Sequence, residues 1–319
     1  MSANLQNPIF TDEAKAREWL EARIWPSGPT CPHCGNADQA RITAMHGTVH
    51  RAGLYQCNEP ECREQFTVTV KTVFERSKIP LTKWLAALFL LSCSKKGMST
   101  HQMHRMLGVS YKSTWFMTHR LREAMRTGEL PPMGGPGSIV EADETFIGRK
   151  ERSFKRRGHG HKNAVLSIID RNSGQVRSFH VDGTSAADIV PIIKANVAKE
   201  TAMMTDEGGH YFTLGDHFAS HESVSHKADE YVRGTVHTNT VENFYSVFNF
   251  YSVFKRGMKG VYQHCSEKHL HRYVAEFDFR TPRKIGASHH RANQIQGSHT
   301  LSAGGWHGTA WLLRFEPTL

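Results

Sequence analysis

Residues 138–148 read Ser-Ile-Val-Glu-Ala-Asp-Glu-Thr-Phe-Ile-Gly, and this stretch determines the architecture predicted for the chain. Its β-branched and aromatic residues indicate a strand, in which successive side chains point to opposite faces of a sheet. A carboxylate in so apolar a strand is costly unless it binds a cation or a hydrogen-bond donor. Asp143 is therefore a candidate catalytic residue, and Glu141, which shares its face, is the alternative.

The segments that follow alternate between strand-like and helix-like patterns. Residues 164–170 and 175–181 resemble strands, and residues 186–200 resemble a helix. A short apolar strand then ends at Asp206, and a helix that opens at Thr238 or Asn239 carries Glu242. This order predicts an α/β fold with a mixed sheet that collects Asp143, Asp206 and Glu242 at one edge.

Three carboxylates at one place suit a particular chemistry. Their hard oxygen atoms, with room for water, are the ligands that Mg²⁺ and Mn²⁺ prefer. Two such ions stabilise both the attacking and the leaving oxygen during phosphodiester cleavage and strand transfer. We therefore expect these acids to be the catalytic residues and the ligands of magnesium or manganese.

Four of the six cysteines form two pairs near the N-terminus. Cys31 and Cys34 are separated by two residues, and Cys57 and Cys62 by four. Two pairs of thiolates on tight turns saturate a tetrahedral metal ion. The pattern predicts a structural zinc ribbon with all four cysteines as Zn²⁺ ligands. The alternatives are reduced structural cysteines or a ribbon that no longer binds metal.

Residues 76–130 read as helices. A short helix from Ser99, a turn at 108–110 and a longer helix capped by Ser110 are typical of a helix-turn-helix that enters the major groove. Trp115 and Phe116 are predicted on its buried stripe. The opposite face is predicted to be basic and to bind DNA through Lys112, Arg120, Arg122 and Arg126. The alternative is a helical hairpin with a solvated basic face.

The composition supports a partner that is a polyanion. The chain has 40 Lys and Arg against 30 Asp and Glu, a formal net charge of +10 and a pI near 9.4, which favours nucleic acid. No run approaches the ~18 apolar residues of a membrane span, and the N-terminus lacks a signal pattern. We expect a cytoplasmic, nucleoid-associated prokaryotic protein with no membrane segment.

Changes in composition divide the chain into five regions. These are a zinc ribbon at 1–75, a helical DNA-binding region at 76–130, a Pro/Gly linker at 131–137, a catalytic domain at 138–280 and an irregular tail at 281–319.

Several motifs together resemble those of transposases of the insertion-sequence family numbered fifteen-ninety-five, whose domain is often called ISXO-type. The matching stretches include Cys31-Pro-His-Cys34, Val140-Glu-Ala-Asp-Glu-Thr-Phe-Ile-Gly148, Thr205-Asp206-Glu207 and His237-Thr-Asn-Thr-Val-Glu-Asn-Phe244. The resemblance covers roughly residues 15–280. It implies an RNase H-like nuclease-transferase acting on its element's terminal inverted repeats. Asp143, Asp206 and Glu242 fall on the family's catalytic positions.

Further DNA contacts and an oligomer are expected from this reading. The partners are double-stranded DNA, both terminal repeats and target, and a homodimer or higher oligomer that joins two ends. A basic segment after the first strand is predicted to meet phosphates, or else to be a solvated loop. The residues expected to bind DNA in this part of the chain are Lys155, Arg156, Arg157, Lys255 and Arg256.

A tandem duplication departs from the family pattern. Residues 243–248, Asn-Phe-Tyr-Ser-Val-Phe, repeat at once as 249–254. The family predicts a lysine seven residues after the catalytic Glu, on nearly the same helix face. Here Lys255 follows Glu242 by thirteen residues, which turns it to roughly the opposite side at about 100° per residue. We therefore expect impaired transposition.

Two other functions fit part of the pattern. A decayed element product would bind DNA ends without cutting them, and the duplication and the divergent tail favour it. A host metal-dependent nuclease would hydrolyse DNA without strand transfer. A zinc-ribbon transcription factor leaves residues 138–280 unexplained.

Overall fold

The computed structural model describes residues 5–126, 130–155, 157–206, 208–224 and 250–280. The chain divides into two compact units. The first contains residues up to 93 together with 100–124, and the second contains 94–99 and the described residues from 125 to 280. The boundary predicted at residue 75 falls inside the first unit.

The first unit joins a small sheet to a set of helices. Its elements are α1 (Glu13–Ile24), β1 (Ile42–Met45), β2 (Leu54–Cys57), β3 (Gln65–Phe66), α2 (Leu81–Cys93), α3 (Thr100–Leu107) and α4 (Tyr111–Ala124). The three strands form an antiparallel sheet in chain order. Glu13 ties the two parts together, because its carboxylate accepts hydrogen bonds from the backbone N–H groups of Leu81 (2.8 Å) and Thr82 (3.2 Å). These are N–H groups that the first turn of α2 leaves without helical partners.

The second unit is built on a five-stranded mixed sheet. Its elements are β4 (Ile139–Ile147), β5 (Asn163–Asp170), β6 (Val176–Val181), α5 (Ala186–Asn196), β7 (Ala202–Asp206), β8 (Ser220–Val224), α6 (Phe250–Gly257) and α7 (Leu270–Arg280). The strand order is β6-β5-β4-β7-β8. The first three strands are antiparallel to one another, and β7 and β8 run parallel to β4. This arrangement confirms the predicted RNase H-like sheet.

The alternation along β4 assigns each side chain to one of two apolar layers. Val140 and Ala142 pack with α5 and with the short 3₁₀ turn Gly209–Leu214. Ile147 packs on the other face with α6 and α7. Asp143 therefore lies on the face that α6 and α7 cover.

Parts of two predicted regions differ from the structure. Helix α1 lies inside the region expected to be only ribbon, and it buries only Ala16 and Leu20. Within the predicted linker at 131–137, Met133 is buried in the core of the second unit and bridges to Val197, while the other residues of this segment are exposed or partly exposed.

Candidate active site and metal centre

The two predicted catalytic aspartates lie on neighbouring strands. Strand β7 pairs in parallel with β4, and the last pair is Glu141 with Met204. Continued two residues further, this register would set Asp143 opposite Asp206, and the charges of both aspartates act on Tyr211. Backbone N–H groups hold both carboxylates, Glu144 N at 2.7 Å from Asp143 Oδ1 and Gly208 N at 2.9 Å from Asp206 Oδ1. Both aspartates are partly exposed and are thus open to an ion.

Three further side chains form a polar cluster next to this pair. The hydroxyl of Tyr211 donates a hydrogen bond to Glu144 Oε1, and His210 Nε2 lies 3.0 Å from the same oxygen. Burial raises the pKa of Glu144. Burial also raises the pKa of Tyr211 well above its usual range, and the charges of Glu144, Asp143 and Asp206 act in the same direction. Tyr211 therefore stays a neutral donor beside three carboxylates. No motif in the sequence marks His210 or Tyr211, which lie in the 3₁₀ turn Gly209–Leu214.

Glu141, the alternative to Asp143, has a different environment. Its side chain is fully buried and forms an ion pair with Arg171, which follows β5. A buried carboxylate that is neutralised by an arginine serves packing, since its charge is already compensated. Glu141 is thus a buried and paired carboxylate, whereas Asp143 is partly exposed.

Helix α6 brings Lys255 close to the aspartates. Phe254 anchors the helix, since it is fully buried and its ring meets that of Phe277 at 5.0 Å. Burial lowers the pKa of Lys255. The carboxylate of Asp143 raises this pKa, and the charges of Lys259 and Lys162 lower it further. Lys255 is therefore within electrostatic reach of Asp143. Glu242, the third predicted acid, and the first copy of the repeat lie outside the described residues.

The four paired cysteines meet at one point. All four Sγ atoms lie within 4.8 Å of one another. Cys31 and Cys62 are 3.7 Å apart, as are Cys34 and Cys57. With Zn–S bonds of about 2.3 Å, the sulfurs around a tetrahedral zinc are about 3.8 Å apart. The cluster thus fits a tetrahedral metal ion, and Trp25, Tyr55 and Phe66 pack beside it.

The predicted basic face of α4 is only partly exposed. Lys112 and Arg126 are exposed. Arg122 is fully buried, so its predicted place on the exposed face is wrong. Arg120 is half-buried and donates to the carbonyl of Glu75 at 3.1 Å, so it too serves packing. The helix is rotated from the predicted phase, since Trp115 and Phe116, predicted on the buried stripe, lie on its exposed side.

The basic segment between β4 and β5 is largely open to solvent. Lys155 and Arg157 are exposed, as is Arg256 at the end of α6. Arg156 lies outside the described residues. Phe154 is 80% exposed within this segment. An aromatic ring among arginines and lysines is typical of surfaces that bind nucleic acid.

Comparison with known proteins shows which class of protein combines such a zinc ribbon with such a mixed sheet. This class is the DNA transposases. Residues 134–281 match the ISXO2-like transposase domain of the IS1595 group, and residues 11–65 match the transposase zinc-ribbon domain of the same group. The chain therefore belongs to the IS1595 family of insertion-sequence transposases.

One curated relative and two solved structures are similar to the chain. An uncharacterized protein in transposable element ISH50 of Halobacterium salinarum is 26% identical over 287 residues, which cover 85% of this chain and 91% of the relative. A simian T-cell lymphotropic virus intasome in complex with PP2A regulatory subunit B56 gamma matches at 12% identity and a TM-score of 0.29, over 64% of this chain and 73% of the other. The HTLV-2 integrase catalytic core domain in complex with magnesium matches at 12% identity and a TM-score of 0.21, over 44% of this chain and 98% of the other.

Within the described ranges, no helix is both long and apolar enough to cross a bilayer.

Proposed function

We propose that the chain binds the terminal inverted repeats of its own element and catalyses metal-dependent strand cleavage and transfer. The observation that carries the proposal is the parallel pairing of β4 with β7, whose register, continued two residues beyond the last pair of Glu141 and Met204, would set Asp143 opposite Asp206. Glu242 completes the proposed site from the segment outside the described residues. All three are assigned as catalytic residues.

The donor set suits magnesium or manganese. Asp143 and Asp206 offer carboxylate oxygens that are partly exposed, while the neighbouring Glu141 is compensated by Arg171. A pair of such ions, when bound, supplies an activated nucleophile and charge stabilisation for the phosphodiester. The protein's own groups hold the carboxylates through backbone N–H donors and keep Tyr211 as a neutral donor nearby.

Recognition of DNA is assigned to both units. The turn at 108–110 between α3 and α4 supports a helix-turn-helix, in which Lys112 and Arg126 face DNA. Arg120 and Arg122 hold α4 in place. The catalytic unit would contact phosphates through Lys155, Arg156, Arg157, Lys255 and Arg256. The four cysteines hold a structural zinc ion, and the chain works as a dimer or higher oligomer because two ends must be joined.

A second candidate is a protein that binds the ends without cutting them. The duplication at 249–254 favours it, because it separates Glu242 from Lys255 by six extra residues. A third candidate is a host nuclease that hydrolyses DNA without strand transfer.

Incubation of the purified protein with DNA that carries the element's ends, in Mg²⁺ or Mn²⁺, separates these functions. Cleavage followed by joining supports the transposase, nicking alone supports a nuclease, and a mobility shift without any cut supports the binding protein.

A further inference from the structure

A cavity opens next to Asp143, and its walls combine positive charge with flat rings. Its volume is about 390 Å³, within the range of roughly 300–1,000 Å³ that small-ligand sites occupy. The residues that line it are Glu144, Thr145, Phe146, His159, Lys162, Lys255 and Lys259. All of them belong to the second compact unit.

The charge of the cavity favours an anion. Three lysines line it, and two of them, Lys162 and Lys259, repel Lys255. Among the described residues of its wall, the carboxylate is Glu144, whose Oε1 is already bound by Tyr211 and near His210. Three ammonium groups around one space form a site for phosphate oxygens.

The rings of the cavity favour a flat group. Phe146 and His159 stack with ring centroids 4.4 Å apart and an angle of 8° between their planes. Phe146 is half-buried whereas His159 is exposed. Because Phe146 covers one face of the imidazole, the other face is available to a third ring. Nucleobases stack on aromatic side chains with little dependence on sequence.

A nucleotide combines these two features in one ligand. We propose that this cavity binds one unpaired nucleotide of the DNA strand that is cut at Asp143 and Asp206, with its phosphate on Lys162, Lys255 and Lys259 and its base on His159. The inference rests on the proposed function, since it takes that strand as its ligand. The base must leave its duplex stack, because neighbouring bases cover both faces of a base inside a duplex. The site then holds the strand a short distance from the aspartates.

The test measures binding without magnesium or manganese, so that cleavage plays no part. The probe is a short fluorescent duplex with a single-stranded extension of a few thymidines, and the same duplex with blunt ends is the reference. The full chain should bind the extended duplex about tenfold more tightly than the blunt one, as stacking of one base predicts.

The variants separate the ring from the lysines. His159→Leu should abolish the preference, whereas His159→Tyr should keep it, because tyrosine is also flat. Lys162→Gln and Lys259→Gln should weaken binding of the extended duplex and lower the salt dependence by about one ion each. His264→Leu and Lys268→Gln, at exposed positions of the same unit, should leave both affinities unchanged.

Two results overturn the inference: equal affinity of the full chain for both duplexes, or a preference that His159→Leu retains. Because cleavage is not read, loss of catalysis in the transposition assay would leave this result intact, and the two failures are distinguishable.

Discussion

Glu141 and Asp143 stand two residues apart on one face of β4, and their neighbours give them different roles. Glu141 is fully buried against Arg171, while Asp143 is partly exposed beside Asp206 and Lys255. This contrast explains why two acids on one face of a strand do not repel each other strongly. Glu141 is neutralised within the fold, and Asp143 is the acid that we propose as a ligand of the metal ions.

Breaking the buried pair should lower stability. Glu141→Gln leaves Arg171 without its compensating charge, and we expect the free energy of unfolding to fall by about 3–5 kcal/mol. The double variant Glu141→Leu/Arg171→Met should recover much of this loss, because it removes both charges. Urea unfolding followed by circular dichroism measures both effects, with the exposed Glu151→Gln as the control. Unchanged stability with loss of DNA cleavage would instead make Glu141 a catalytic acid.

A partly buried acid, Asp278, predicts a dependence of stability on pH. Burial raises the pKa of Asp278 to about 7, although Ser178 donates to it from its backbone N–H (2.7 Å) and its hydroxyl (2.8 Å). The folded state thus holds the proton more tightly than the unfolded state. The contribution of Asp278 to stability is therefore full below about pH 4 and is lost as the pH rises towards 7.

Asp278→Asn should remove this dependence. The difference in unfolding free energy between the variant and the parent should move in favour of the variant by roughly 1 kcal/mol per pH unit between pH 5 and 7. Urea titrations at several pH values measure it. A difference that stays constant over this range would contradict the assignment.

At the scale of elements, the strands of the second unit were predictable and the helices of the first were less so. The β-branched and aromatic residues of β4 indicate a strand from the sequence alone. Asp206 ends a short apolar strand, as expected. In α4, by contrast, Trp115 and Phe116 are the obvious core residues by hydrophobicity, yet they are exposed while Arg122 is buried. The tertiary contacts of α4 determine which side of the helix is buried, and these contacts cannot be predicted from the hydrophobicity of its residues alone.

The candidate site was likewise predictable only in part. Asp143 and Asp206 were found because acids within apolar strands are unusual. His210, Tyr211 and Arg171 were missed, because their roles depend on contacts between segments distant in the chain.

Helix α6 connects the duplication to the site. The buried Phe254 is the last residue of the second copy of the repeat, and Lys255, near Asp143, follows it directly. The residue seven positions before Lys255 is Phe248, so the sequence carries no carboxylate at the spacing from this lysine that the family predicts.

Deleting residues 249–254 should restore the spacing between acid and lysine. We expect strand cleavage to rise by at least about tenfold, because the acid returns to the helix face of Lys255. Phe248→Glu should have a similar effect without shortening the chain, and Phe248→Gln is its matched control. Cleavage by the unaltered chain at the rate of the shortened one would refute this account of the repeat.

At the scale of the whole molecule, the metal centre of the first unit should support DNA binding. Cys31 and Cys57 are fully buried among the aromatic residues of the ribbon. We expect one zinc ion per chain by elemental analysis, lost in Cys57→Ser, with weaker binding of the element's ends. Cys93→Ser, outside the cluster, is the control. Full zinc content in Cys57→Ser would show that the four sulfurs do not share an ion.

The pairing of Asp143 with Asp206 is tested most directly by cleavage of the element's ends in Mn²⁺ by the chain that lacks residues 249–254. Asp143→Asn and Asp206→Asn should each slow cleavage on the order of a thousandfold while DNA affinity stays unchanged, because each removes a ligand of the same pair of ions. Cleavage at the parental rate in either variant would contradict a catalytic site at this edge of the sheet.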